Sequence, residues 1–416
     1  MPAEVRVPSA ADVVVVGGGP AGAATAWWLA RAGVRVVVLD KATFPRPKPC
    51  SEYMSPQASR LLEEMGVLPE VERAGAAQLA GMVIRSPNGG LIRGVFAGAH
   101  RWRGHRDRGL SLQRTLLDPI LLGAARRAGA HVAEGAPVQD ITLDPSGRAS
   151  GVIVGEADGR TTTVRARLVI GADGLRSVVA RRLGLTRSAR FPRRIALVTH
   201  YAGIAGVGDL GEMHVERDGY LGIASVGNGL ANVAVVIPAS RASELSAGRE
   251  RFLERWIAAR PQLRDRFAGA SRATPVRATG PFASRAKRAW APGAALVGDA
   301  ADFFDPFTGE GIYAALRGGE LLAPYAMAAL DATSPLGERT ALEAYDRARR
   351  YEFGGKWLVE RMIGTAVAFP PLLDRAAAVL SRRPAMADLL VGVTGDFVPA
   401  SAVLNPSFLA RLLLLP

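Results

Sequence analysis

Val13-Val14-Val15-Val16-Gly17-Gly18-Gly19-Pro20-Ala21-Gly22 is the stretch on which the fold turns. Four β-branched residues run straight into three glycines, and Ala21 to Arg31 then reads as a helix closed by Ala32-Gly33. A second β-branched run, Val36-Val37-Val38-Leu39, ends at Asp40. Strand, glycine turn, helix and strand make one βαβ unit, with the short continuous apolar runs of strands buried on both faces.

The turn has a chemical reading as well as a structural one. Gly17 permits the tight bend, Gly19 lets the backbone approach a pyrophosphate, and Gly22 lets the helix pack against the strands. Pro20 and Ala21 open a helix whose free N–H groups favour phosphate. Asp40 stands where a carboxylate accepts hydrogen bonds from a ribose diol, with Lys41 beside it. An acid there argues against a 2′-phosphate, so the expected dinucleotide is FAD or NAD rather than NADP.

Composition narrows the field further. The chain has 416 residues, 52 of them Lys or Arg against 38 Asp or Glu, for a net charge of +14. Only Lys41, Lys48, Lys287 and Lys356 are lysines, and the arginines come in ones and twos, such as Arg126-Arg127 and Arg349-Arg350. Nucleic-acid binding would concentrate basic residues and aromatics on one element, so no nucleic-acid partner is expected. Attraction to an anionic membrane surface is consistent with the charge. A single cysteine, Cys50, suits a reducing compartment. With no stretch apolar enough to span a bilayer, the expectation is a soluble, cytoplasmic protein open to peripheral membrane contact. No metal site is expected, and the sequence leaves the oligomeric state open.

Farther along, Gly81 to Gly98 and Ile195 to Pro238 alternate apolar and polar residues, as an inserted antiparallel sheet would. From Gly309 the chain reads as mostly helical, with breaks at Pro370-Pro371 and near Pro399. The apolar tail from Phe408 to Leu415 is expected to pack on the body. The expected fold is α/β (α+β overall): a Rossmann-like cofactor domain over 1–75, 105–185 and 280–340, a substrate domain over 76–104 and 186–279, and a helical region over 341–416.

Two later segments choose the dinucleotide. Leu168-Val169-Ile170-Gly171-Ala172-Asp173-Gly174 is a strand running into an Asp-Gly turn. Ala294-Ala295-Leu296-Val297-Gly298-Asp299 is another strand, continuing into Asp305-Pro306-Phe307-Thr308-Gly309-Glu310-Gly311-Ile312. With the glycine turn, these three motifs in this order resemble the para-hydroxybenzoate hydroxylase-like flavoproteins. The resemblance implies FAD, with Asp299 on the ribityl chain, Asp173 and Gly174 beside the pyrophosphate, and Arg114 against the diphosphate. It also implies that Arg46, Cys50, Pro306, Gly309, Gly311 and Ile312 line the cofactor. With no second glycine fingerprint in the chain, NAD(P)H would bind only transiently, as electron donor.

Within that superfamily, Phe44-Pro45-Arg46-Pro47-Lys48-Pro49-Cys50 and the 305–313 segment look closest to the geranylgeranyl reductase branch. Ser51-Glu52-Tyr53-Met54 departs from it, because reductases of that branch follow the cysteine with small, glycine-rich residues. Two reactions therefore compete. One is NAD(P)H-dependent hydroxylation of an aromatic, polyketide-like or lipidic substrate through a flavin C4a-hydroperoxide, the reading the sequence slightly favours. The other is reduction of carbon–carbon double bonds in a prenyl lipid or quinone. Halogenation would want a Trp-x-Trp-x-Ile-Pro signature that is absent. A flavin-free prenyl-binding protein on this fold would not need to keep both Asp173-Gly174 and Gly298-Asp299. Candidate acid–base groups are His200, Tyr201, His214, Tyr220 and the thiol of Cys50. Alternation places His214 on one strand face with Glu212 and Glu216, exposed if that polar face meets solvent and a candidate acid–base group if it lines a cleft.

Overall fold

The computed structural model describes residues 7–98, 100–156, 158–188, 193–282, 284–303 and 305–413. Phe304 of the third motif and the last residues of the apolar tail lie outside them.

The valine run forms the strand Ala10–Val16 at the heart of an eight-stranded sheet. Val13 pairs with Leu168 on one side and Val36 on the other, both in parallel, and Val13, Val14 and Val15 are fully buried. Burial on both faces is why the run is continuous rather than alternating. The parallel order runs Ala294–Leu296, Thr161–Gly171, Ala10–Val16, Val36–Leu39, His131–Ala133. The hairpin Val138–Leu143 and Ala149–Gly155 extends the long strand antiparallel. The helix Pro20–Arg31 starts with proline in its first turn, where a missing N–H costs nothing.

Gly17 and Gly22 are fixed by close approach. A Cβ on Gly17, whose φ is +104°, would lie 2.5 Å from the Ala172 carbonyl oxygen, and one on Gly22 would lie 1.8 Å from that of Gly17. No side chain fits at either position.

The second large sheet is built on Arg194–Ala202, Leu210–Glu216, Gly219–Gly227 and Leu230–Pro238, joined by Gly81–Arg85 and Leu91–Val95. It departs from the expected antiparallel pattern at one seam: Gly81–Arg85 runs parallel to Leu210–Glu216, because the two are joined by a long excursion rather than a hairpin. Ala77–Leu79 does not enter this sheet; it pairs with Gly109–Ser111 in a small ribbon that also holds Tyr53–Met54.

The two faces of the second sheet are covered differently. Leu197, Leu221, Val233, Val235 and Ile237 pack against Phe252, Leu253, Trp256 and Leu263 of the helices Arg249–Ala258 and Pro261–Phe267. The other face, with Ala196, Met213, Tyr220 and Val236, meets Phe307 and the C-terminal helices. Pro335–Ala368 is the longest of these, followed by Pro370–Leu380, Pro384–Thr394 and the terminal Pro406–Leu413. Phe408 is buried there and Leu412 packs against the same cluster, as expected of the tail's described part.

Candidate active site

The carboxyl ends of Ala10–Val16, Thr161–Gly171 and Ala294–Leu296 open on one cavity of about 720 Å³. Its far wall is the second sheet, through Met82, Met213, Tyr220 and Ala234, and the long helix Pro335–Ala368 contributes Phe353, Trp357 and Glu360. Of the residues expected to hold cofactor, Gly17, Gly19, Pro20, Ala21, Asp40, Lys41, Arg46, Cys50, Arg114, Asp173, Gly174, Asp299, Pro306, Gly309, Gly311 and Ile312 all line it. Gly22 stands one turn behind, packed on Gly17.

The diphosphate end is assembled from charge. Arg114 is buried and grips the fully buried Asp118 through two bonds, at 2.6 and 2.8 Å, while Arg46 reaches the same carboxylate at 3.4 Å. Burial works against the Arg114 charge, but Asp118 and then Cys50 more than restore it, so the guanidinium stays protonated. A Cβ on Gly19 would lie 3.5 Å from the nearest Arg46 nitrogen and 3.6 Å from that of Arg114. A bare backbone, a helix N-terminus and two guanidiniums therefore face one gap, which fits a diphosphate. Asp40 accepts from the Gly18 N–H at 2.7 Å and the Ala42 N–H at 2.8 Å, so the expected ribose acceptor also braces the glycine turn.

Asp173 and Asp299 sit farther in. One Asp173 oxygen accepts from the Val178 N–H at 2.6 Å, and the other is buried without a hydrogen-bond partner. Burial raises its carboxyl pKa, and the Ser177 and Val178 bonds hold it back. Asp299 is likewise pushed up by burial, with Lys48 and Arg114 opposing. Lys48 is the residue the sequence reading passed over: its ammonium stands 3.5 Å from where a Gly174 Cβ would be, and burial lowers its pKa against the pull of Asp299. An orphaned acceptor at Asp173 and a lysine–aspartate pair around open space fit the hydroxyl-rich ribityl and phosphate chain of FAD.

The candidate acid–base residues separate on this geometry. Tyr220 lines the cavity and donates to Asp305 at 3.0 Å; burial and Asp305 hold its phenol well above the usual range. Cys50 lines the cavity too, with its sulfur accepting from the Glu52 N–H at 3.3 Å. His200 is held at both ring nitrogens, 2.7 Å from Glu52 and 3.1 Å from Thr274. His214 meets neither solvent nor the cavity, the two places alternation left open. It shares its strand face with the partner Leu221, beneath the covering helices, and is buried 2.9 Å from Glu212, which Arg266 also grips. Tyr201 lies on that same covered side, packed edge-on against Phe267.

Besides Lys48, two groups were given no place in the site by the sequence. Glu52 has φ +63° and is buried; its carboxylate accepts from the Arg114 backbone N–H at 2.9 Å and from Asn232 at 3.0 Å, besides pairing with His200. The departure at Ser51-Glu52 was the signal: a position where glycine would bend freely carries a side chain that ties the Cys50 loop to the second sheet. Glu360 had no local signal at all. Burial pushes its carboxyl well above the usual range, Glu310 adds to the shift, Lys356 opposes it, and Asp305 adds again.

Comparison with known proteins agrees with this geometry. The family described as FAD binding domain matches residues 10–351. The chain is 30% identical to menaquinone reductase of Mycobacterium tuberculosis, over 95% of this chain and 93% of that one. It is 33% identical to digeranylgeranylglycerophospholipid reductase 1 of Methanopyrus kandleri, over 77% and 81%. The solved myxobacterial chondrochloren halogenase is 26% identical, with a TM-score of 0.78 over 85% of this chain and 82% of that one. A glycine turn, an Asp-Gly turn and a Gly-Asp turn brought to one cavity thus carry more than a local likeness: the chain belongs to the FAD binding domain family, the para-hydroxybenzoate hydroxylase-like FAD-dependent oxidoreductases.

Proposed function

We propose that this oxidoreductase reduces carbon–carbon double bonds of an apolar, prenyl-type lipid or quinone, with NAD(P)H as transient electron donor. The observation that carries the reading is the place of Glu360 on the wall of a largely apolar cavity, where burial and then Glu310 raise its carboxyl pKa. Bound FAD supplies the hydride for such a reaction, and the chain must supply the matching proton. Glu360, its pKa raised, is placed to give that proton from a carboxyl oxygen, so that hydride and proton together would saturate one double bond. Met82, Met213, Phe282, Phe353 and Trp357 line the same space and would keep water from a chain-like substrate. Arg114, Arg46, Lys48, Asp173 and Asp299 would hold the cofactor.

Hydroxylation of an aromatic substrate is the second reading, supported by Tyr220 and Asp305 within the cavity. It calls for a base to take a phenolic proton, and the two histidines considered for that task are engaged elsewhere: His200 with Glu52 and Thr274, His214 with Glu212.

The test is the pH dependence of anaerobic flavin reoxidation when the reduced protein is mixed with a polyprenyl quinone. A donor acid is active while protonated, so the rate should hold at low pH and fall as pH rises through its raised pKa. Glu360→Gln should slow the reaction at every pH, by about 100-fold, and remove that fall. An unchanged rate and profile in the variant would remove Glu360 from the reaction.

A further inference from the structure

The helix that closes the cavity shows a second face to solvent. Phe353, Trp357 and Glu360 turn inward, while Tyr351, Leu358, Met362 and Phe369 recur at the seven- and four-residue spacing of the opposite side. Tyr351 is 92% exposed, Leu358 49%, Met362 37% and Phe369 52%, and Leu372 follows at 44% just past a 110° bend in the chain. Most of the exposed large apolar side chains among the described residues therefore fall in this one segment.

Its charges are one-sided. The acids of the segment are committed: Asp346 to Arg350, Glu352 to Arg317, Asp374 to the backbone N–H of Asn88, and Glu360 to the cavity wall. Arg347, Arg361 and Arg382 are exposed along it. An apolar stripe with exposed arginines beside it matches a bilayer of anionic lipid, where the apolar side chains enter the acyl boundary and the arginines meet headgroups. No described helix is long and apolar enough to cross a membrane by itself; Pro335–Ala368 and Pro370–Leu380 reach that apolarity only together, across the 110° bend.

We infer that the face formed by Tyr351, Leu358, Met362, Phe369 and Leu372 docks this protein on an anionic lipid surface. The opposite side of the same helix lines the cavity, so docking would bring the cavity wall to the membrane. Binding is measured without turnover, so the inference stands or falls separately from the proposed reaction.

The experiment is co-sedimentation of the full chain with vesicles of phosphatidylcholine alone or with phosphatidylglycerol added. The expected result is binding to the anionic vesicles, release by high salt, and at least about tenfold weaker binding for the double variant Leu358→Glu with Met362→Glu. Flavin content of that variant should equal wild type, which separates lost docking from lost folding; if it does not, Arg361→Glu alone should still weaken anionic binding. Three results would overturn the inference: no binding of wild type to either vesicle, equal binding by folded variants, or a wild-type dimer that the double variant converts to monomer without any vesicle binding.

Discussion

Glu52 concentrates the residue-scale argument. A side chain in the left-handed region costs about 1 kcal/mol or more, and persists where its surroundings fix it. Here the Arg114 N–H, His200 and Asn232 meet its carboxylate, and its own carbonyl accepts from the Leu112 N–H at 3.2 Å. Removing the carboxylate strands several buried polar groups at once, so Glu52→Ala should destabilise the fold by roughly 3 kcal/mol. Thermal melting would show this, and a melting point within about 1 °C of wild type would refute it. The same scale explains what was legible. Gly17, Asp173 and Asp299 announce themselves because each ends a strand in a turn that few other residues tolerate. Glu52 announces itself only as an anomaly, and its partners, 62 to 180 residues away, come together only in the folded chain.

At the scale of elements, the second sheet shows why alternation alone cannot place His214. Period two separates the faces but does not say which face the chain will cover with helices. Here it covers the Glu212 side. Burial raises the Glu212 pKa, yet the Arg266 and His214 bonds outweigh it and bring the carboxyl down to about 2 from 4.5. The sign follows from proton binding: between those values the unfolded chain holds the extra proton, so stability from this group is full above about pH 4.5 and is lost as pH falls toward 2. Its worth is at most about 3 kcal/mol. Glu212→Gln should flatten that part of the stability–pH curve in urea titrations; an unaltered acid limb would show the pair contributes nothing. The roof helix Pro335–Ala368 makes the parallel point for the site. Its helical character could be read from sequence, but its seat over the cavity, and so the place of Glu360 on the cavity wall, depends on packing against Phe307 and the second sheet.

For the whole molecule, the arrangement is a mixed sheet whose parallel strands present the turns expected to hold cofactor, a second sheet forming the far wall, and a C-terminal helix between cavity and solvent. The first part is legible from three short motifs because dinucleotide chemistry constrains backbone directly. The reaction is less legible, because it depends on which side chains the other two parts bring to the cavity. Those side chains are apolar but for a few groups, and Glu360, whose pKa burial raises, is the one on which the proposed double-bond reduction rests. The most direct test is the mass of the product formed when the fully reduced protein meets a polyprenyl quinone in air enriched in ¹⁸O₂. The account predicts a product heavier by two hydrogens and free of ¹⁸O; a product carrying one ¹⁸O atom would contradict it and establish hydroxylation instead.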